Sequence, residues 1–225
     1  GELAATLAAD KVVTGHYSIP ETDQGLNAYI ASGVRCCHES TRAEDALAKM
    51  RLGQYAQLRY GSAWLDLPNL AAAITETGID TRFANLISDD THPHTLVANG
   101  HLDYILRKAV DCGIDVVRAI QMMTINTATC FRMDNELGSI TPGKCADIVF
   151  IDNEKDIRVT RVLIDGEVVA ENGACTFPLA PFEYPAWVTH SMHLGCAIAP
   201  ETFRVEASAD AAEGDAVCVR VIEVL

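Results

Sequence analysis

The stretch Leu86-Ile87-Ser88-Asp89-Asp90-Thr91-His92-Pro93 is an apolar run that ends abruptly in two acids. The residues 82–88 predict a buried strand that delivers Asp89 where it emerges into a loop, and a carboxylate there needs a cation or hydrogen-bond donors close by. Two upstream runs, Lys11-Val12-Val13-Thr14-Gly15-His16 and Gly33-Val34-Arg35-Cys36-Cys37-His38-Glu39, are also short, apolar-leaning and closed by a histidine or a histidine and an acid. Three strands that each deliver a ligand-type side chain at the C-terminal edge describe one face of a parallel barrel, where such folds keep their chemistry.

Working outward, helical spacing is expected over Asp23–Ser32, with Asp23 at the N-cap and Gly33 at the stop, and again from Ser40 or Thr41 to Gly53. Tyr55–Arg59 reads as a strand, Leu67–Glu76 and Leu102–Cys112 as helices, and Asp115–Met123 as a helix capped by Asp115. Strands alternating with helices in this way are βαβ units, which imply parallel pairing. After Phe131 the pattern changes. Ala146–Asp152 reads as a strand, and Val159–Ile164 turns at Asp165-Gly166 into Glu167–Ala170, the signature of a tight hairpin. Prolines then punctuate an irregular segment from Phe177, and Ala216–Val224 is strand-like.

The 225 residues are 49% hydrophobic and 21% charged, enough to bury a sizeable core. A formal net charge of −14 argues against binding nucleic acid, because neutralising phosphates takes clustered Lys and Arg. A small neutral ligand fits better. Eight cysteines without a Cys-x-x-Cys pair read as reduced thiols in a cytoplasmic protein, and no apolar run is long enough to span a bilayer. The chain begins with Gly1-Glu2 and reads as cut from something longer.

Six ordered blocks carry a resemblance. Val13-Thr14-Gly15-His16, Cys37-His38-Glu39-Ser40, Leu58-Arg59-Tyr60-Gly61-Ser62, Ser88-Asp89-Asp90-Thr91-His92-Pro93, Gly100-His101-Leu102-Asp103-Tyr104 and Gly143-Lys144-Cys145-Ala146-Asp147-Ile148-Val149 resemble the amidohydrolase superfamily, and within it the bacterial and archaeal adenine deaminase family. The resemblance implies an α/β fold. Residues 1–135 would be the C-terminal part of a (β/α)8 TIM-type barrel, 136–176 a β-sandwich segment, and 177–225 the truncated start of a further domain. It implies hydrolytic deamination of adenine, a small purine base, to hypoxanthine and ammonia.

Such chemistry needs a hydroxide at neutral pH, and a bound metal supplies it by lowering the pKa of a water towards about 7. On the resemblance, His16 and His38 match ligands of a binuclear divalent metal centre, and Asp89 matches a metal ligand that also shuttles protons. Glu39 is a candidate catalytic group, and Arg59, Gly61, Ser62 and Asp90 are candidates for the base pocket. Imidazole and carboxylate donors accommodate zinc, iron or manganese, and the resemblance tilts the choice to manganese or iron.

Each residue also has a plainer reading. A lone strand-end histidine is more often structural than ligating. Asp90 reads equally as closing a turn. His92-Pro93-His94 reads as a surface loop, and His101 and Asp103 as orienting the helix they open. The zinc deaminase signature, His-x-Glu with Pro-Cys-x-x-Cys, is absent. In the resembled family a His-x-His pair after strand one and a bridging glutamate come from upstream sequence, and neither has a counterpart here, so the isolated chain is expected to be inactive and to bind metal poorly. Its open sheet edges predict self-association into a homo-oligomer. Two other readings remain: another amidohydrolase acting on a cyclic amide or aminated ring, and a non-catalytic truncated paralogue.

Overall fold

The computed structural model describes every residue except 179, 208–210, 215, 217, 219 and 222–225. Helix α1 (Glu2–Ala8) leads into strand β1 (Val13–Gly15), then α2 (Gln24–Ala31), β2 (Val34–Cys37), α3 (Ala43–Arg51) and β3 (Tyr55–Arg59). Two four-residue helical segments, α4 (Leu67–Leu70) and α5 (Ala72–Thr75), occupy the helix expected over Leu67–Glu76, and β4 (Ala84–Ile87) follows. The four strands pair in parallel in sequence order, so all their C-terminal ends share one edge.

The side-chain period of two sorts this sheet into two faces. Ala56 and Leu58 of β3 and Ala84 and Leu86 of β4 pack against Met50, Leu67, Leu70 and Ile74 in the main hydrophobic core. The alanines let the helices approach, and each buried leucine contributes about 1.5–3 kcal/mol. Alternation turns Gln57, Arg59 and Asn85 to the other face, where they too are buried. Four further helices complete the α/β layer: α6 (Pro93–Asn99), α7 (Leu102–Asp111), α8 (Val116–Met123) and α9 (Ile125–Cys130). The Asp115 side chain caps α8 by accepting from the Arg118 N–H at 3.1 Å, as its position predicts.

Several local expectations are corrected. The expected strand over 82–88 is shorter, because Asp80 accepts from the Arg82 N–H and starts a 3-10 turn over Thr81–Phe83. His92-Pro93-His94 opens α6 rather than forming a loop; proline is tolerated in a helix's first turn, where its missing N–H had no partner to lose. Neither Ser40 nor Thr41 caps α3. Arg42 holds that position, and its N–H donates to Asp45 at 3.3 Å. Asp23 precedes α2 without a side-chain cap, and Glu21 instead accepts from the Leu26 N–H.

Strands β5 (Ile148–Ile151), β6 (Val159–Ile164), β7 (Glu167–Glu171) and β8 (Ala174–Cys175) form an antiparallel sheet. Asp165 and Gly166 both have positive φ, 50° and 84°, the backbone that a two-residue primed turn demands. In the loop between β5 and β6, Ile157 is fully buried in the main core, and Arg107 of α7 donates to its carbonyl at 3.2 Å. Residues Gly1–Pro178 form one unit and Leu179–Leu225 a second. The second holds α10 (Ala186–Thr189) and a 3-10 turn at Pro200–Phe203. The strand expected over Ala216–Val224 falls on a stretch largely outside the described residues. Among the described residues no helix is long and apolar enough to cross a membrane.

Candidate metal centre

The loops leaving the C-terminal ends of the parallel strands carry the chemistry. His16 follows β1 directly, and His38 and Glu39 follow β2. Gly15 and Cys37 are paired across the two strands, so the residues after them leave side by side. Their rings meet edge to face with centroids 4.5 Å apart. Glu39 Oε1 lies 3.3 Å from His38 Nε2 and 3.8 Å from His16 Nε2. One donor atom from each of the three lies within 4.8 Å of the other two, a spacing that suits a shared cation. Two imidazoles and a carboxylate are the donor types that hold divalent transition metals.

Arg59, the last residue of β3, sits beside this cluster with its side chain 4% exposed. Its Nη1 donates to Asp89 Oδ2 at 2.9 Å and lies 3.5 Å from Glu39 Oε1, while Nε donates to Asp66 Oδ2 at 2.7 Å. Its guanidinium carbon lies 4.8 Å from the Trp64 ring centroid, within cation–π range. Burial works against a charged guanidinium, but the hydrogen bonds to Asp66 and Asp89 and the nearby Glu39 outweigh it and raise its pKa. Asp89 holds the left-handed conformation at φ 64°, an uncommon state for a non-glycine residue that is often met at functional sites.

Burial lowers the pKa of His38. His16 and Arg59 push the same way, against the opposing charges of Asp89 and Glu39. The ring therefore stays in its neutral, donor form at lower pH than an ordinary histidine. His16 is open to solvent, with 69% of its side chain exposed.

Thus His16, His38, Glu39, Arg59 and Asp89 share one rim, with Arg59 as the bridge between the histidine–glutamate cluster and Asp89. Gly61, Ser62 and Asp90 form a separate brace. The Asp90 carboxylate accepts from the N–H groups of Ser62, Ala63 and Trp64 at 3.2, 2.6 and 3.2 Å. Burial raises its pKa, but those three donors outweigh burial and hold it below the usual carboxylate range. Ser62 Oγ donates to Thr95 Oγ1 and accepts from the His92 N–H. A Cβ on Gly61 would overlap the Asp90 carbonyl and carboxylate.

Sequence reasoning missed Asp66 and Trp64. An acid before Leu67-Pro68 reads as a helix start, and nothing local signals that its carboxylate turns to Arg59. Asp103 does orient the start of α7, accepting from the His101 N–H at 2.9 Å and from Arg107 at 2.8 Å.

Comparison with known proteins adds a lineage to this geometry. The chain is 59% identical over all 225 residues to an adenine deaminase of Clostridium botulinum (strain 657 / Type Ba4) and 47% identical over 225 residues to an adenine deaminase of Moorella thermoacetica. It spans 37% of the length of either relative. Among solved structures it resembles the β-aspartyl dipeptidase of Fervidobacterium islandicum AW-1 in fold. There the TM-score is 0.60 at 17% identity, over 80% of this chain and 53% of that one. Molinate hydrolase gives a TM-score of 0.59 at 18% identity, covering 88% and 49% of the two chains. An amidohydrolase-type α/β fold accounts for these likenesses, and the family implies a divalent metal. Residues 7–169 match the model of the Amidohydrolase family, and the chain belongs to that family.

Proposed function

We propose that the protein carrying this chain hydrolytically deaminates adenine to hypoxanthine and ammonia. The observation that carries the reading is the convergence of His16, His38 and Glu39 on a point beside the Arg59–Asp89 pair, all at the C-terminal edge of the parallel sheet. The adenine deaminases of C. botulinum and M. thermoacetica, similar along the whole chain, support the choice of substrate. In this reading the parallel sheet is the closing part of a (β/α)8 barrel. Residues 136–176 belong to a β-sandwich, and residues from 177 open a further domain.

His16 and His38 would hold a divalent cation, manganese or iron, in a centre that is binuclear in the whole protein, with Glu39 and Asp89 as carboxylate donors beside them. When bound, the cation acidifies a water so that a nucleophile forms at neutral pH. Asp89 takes the proton from the attacking water and delivers it to the C6 amino group, which leaves as ammonia, a role worth about 10²–10⁴ in rate. Glu39 exchanges a proton with a ring nitrogen of the base. Arg59 keeps Asp89 aimed through the hydrogen bond from its Nη1. Gly61, Ser62 and Asp90 shape the wall of the base pocket, through the loop they brace.

The test is ammonia release by the full-length, manganese-loaded protein from adenine, cytosine, guanine and hydantoin. Release from adenine at a kcat/KM well above that for the other compounds is expected. Turnover of hydantoin or cytosine in preference to adenine would overturn the assignment.

A further inference from the structure

Lys49 lies on α3, is 1% exposed, and takes no part in the chemistry above. Among the described residues it forms no ion pair. Its Nζ donates to Ser40 Oγ at 2.8 Å and to the Tyr17 carbonyl at 3.2 Å, and these two neutral oxygens are its hydrogen-bond partners. Burying an amine without a carboxylate is costly, and an apolar side chain of the same length would fill the space without that cost. Something other than packing must account for the amine.

Its partners' places in the chain supply the reason. Tyr17 follows His16, and Ser40 follows Glu39. One amino group therefore ties together the two loops that carry His16 on one side and His38 and Glu39 on the other. The tie matters most for His16. Its side chain is 69% exposed, so little packing holds it, and β1 beneath it is three residues long with a register shift between Val13 and Thr14. The Tyr17 backbone is held at its N–H as well, which donates to Cys37 Sγ at 3.1 Å. Hydrogen bonds have narrow distance and angle preferences that apolar contacts lack, so an amine can hold two loops in register where a methyl group would only fill volume.

We propose that Lys49 is a positioning residue that holds the loops after β1 and β2 at the spacing which brings His16, His38 and Glu39 within 4.8 Å of one another. The inference rests on the reading of His16 and His38 as metal ligands.

The experiment compares the full-length protein with Lys49→Met and Ser40→Ala by manganese titration calorimetry and by the visible spectrum of the cobalt-substituted forms. Metal-free crystal structures of the wild type and the variants complete the set. Lys49→Met keeps the length and removes the donors. It is expected to weaken manganese binding at least about tenfold, the scale on which outer partners of ligands act. The cobalt bands should shift, and the imidazoles should draw apart from their 4.5 Å centroid separation. Ser40→Ala, which removes one acceptor of two, should move each readout in the same direction by less, and stands in if Lys49→Met does not fold. Wild-type affinity, an unchanged cobalt spectrum and unchanged ring separation in the variant would overturn the proposal, whatever happens to its melting temperature. A wild type that binds no metal would sink the metal-centre reading alone. The ring separations in the metal-free crystals would then decide the role of Lys49.

Discussion

Arg59 Nη1 donates to Asp89 Oδ2 at 2.9 Å across the ends of β3 and β4, in a pair whose arginine side chain is 4% exposed. The same guanidinium serves Asp66 through Nε and approaches Glu39. Its Nε and Nη1 are therefore both bonded to carboxylates of the chain itself.

Arg59→Met leaves three clustered carboxylates without their cation. Breaking a buried pair by removing one partner costs about 3–5 kcal/mol, so a clear fall in thermal unfolding temperature is expected. Because the guanidinium aims Asp89, kcat should drop by about 10² or more. KM for adenine should change far less. Steady-state kinetics on the full-length protein check this, and a rise in KM at constant kcat would mark Arg59 as a substrate-binding group instead.

The Asp90 carboxyl loses its proton at lower pH in the folded chain than in the unfolded one, because three backbone N–H groups donate to it. Between those two pKa values the unfolded chain binds more protons, so stability falls as pH falls. The contribution is fully present above the ordinary aspartate range, near about 3.9, and is lost below it. Unfolding profiles of Asp90→Asn should show a shallower acid limb than the wild type. Parallel acid limbs would contradict the prediction.

Gly61→Ala introduces a Cβ that would meet Asp90 backbone and side-chain oxygens and come within 2.6 Å of the Ser88 carbonyl. Backbone cannot yield as a flexible side chain does, so destabilisation of about 1–3 kcal/mol is expected from overpacking. Denaturant unfolding measures it. A neutral result would mean that the loops after β3 and β4 part easily.

His38→Asn should cost more metal affinity than His16→Asn, because His38 has 22% of its side chain exposed against 69% for His16 and is held neutral by burial. Proton competition at His38 should set in only below the ordinary histidine range near about 6.5. Metal content after dialysis at a series of pH values tests both statements. Equal losses in the two variants would contradict the ranking.

Much of the rim was legible because the evidence for it is local. A short apolar run stopped by His16, by His38-Glu39 or by Ser88-Asp89 already states which side chain stands at a strand's end, and the parallel pairing carries these ends to one edge. The bracing was not legible. Asp66 looks like a helix start, Ser62 like a pocket residue, and no motif sets Lys49 apart; their partners lie 7, 33 and 32 residues away. Side-chain direction across such gaps follows from packing rather than from spacing. The helix at Pro93–Asn99 was obscured by its own proline, and the strand beginning at Ala84 by the 3-10 turn that Asp80 initiates.

Ile157 joins the antiparallel sheet to the rest of its unit by sinking a fully enclosed side chain into the core, from a backbone at φ 50° that β-branched residues rarely adopt. The hairpin sheet therefore cannot be lifted out as a cassette or exchanged for another without uncorking the α/β layer beneath it. A graft that ends at the loop after β5 would leave a hole where that isoleucine was seated, and damage to the sheet should register at the rim as lost heat tolerance before it registers as lost chemistry.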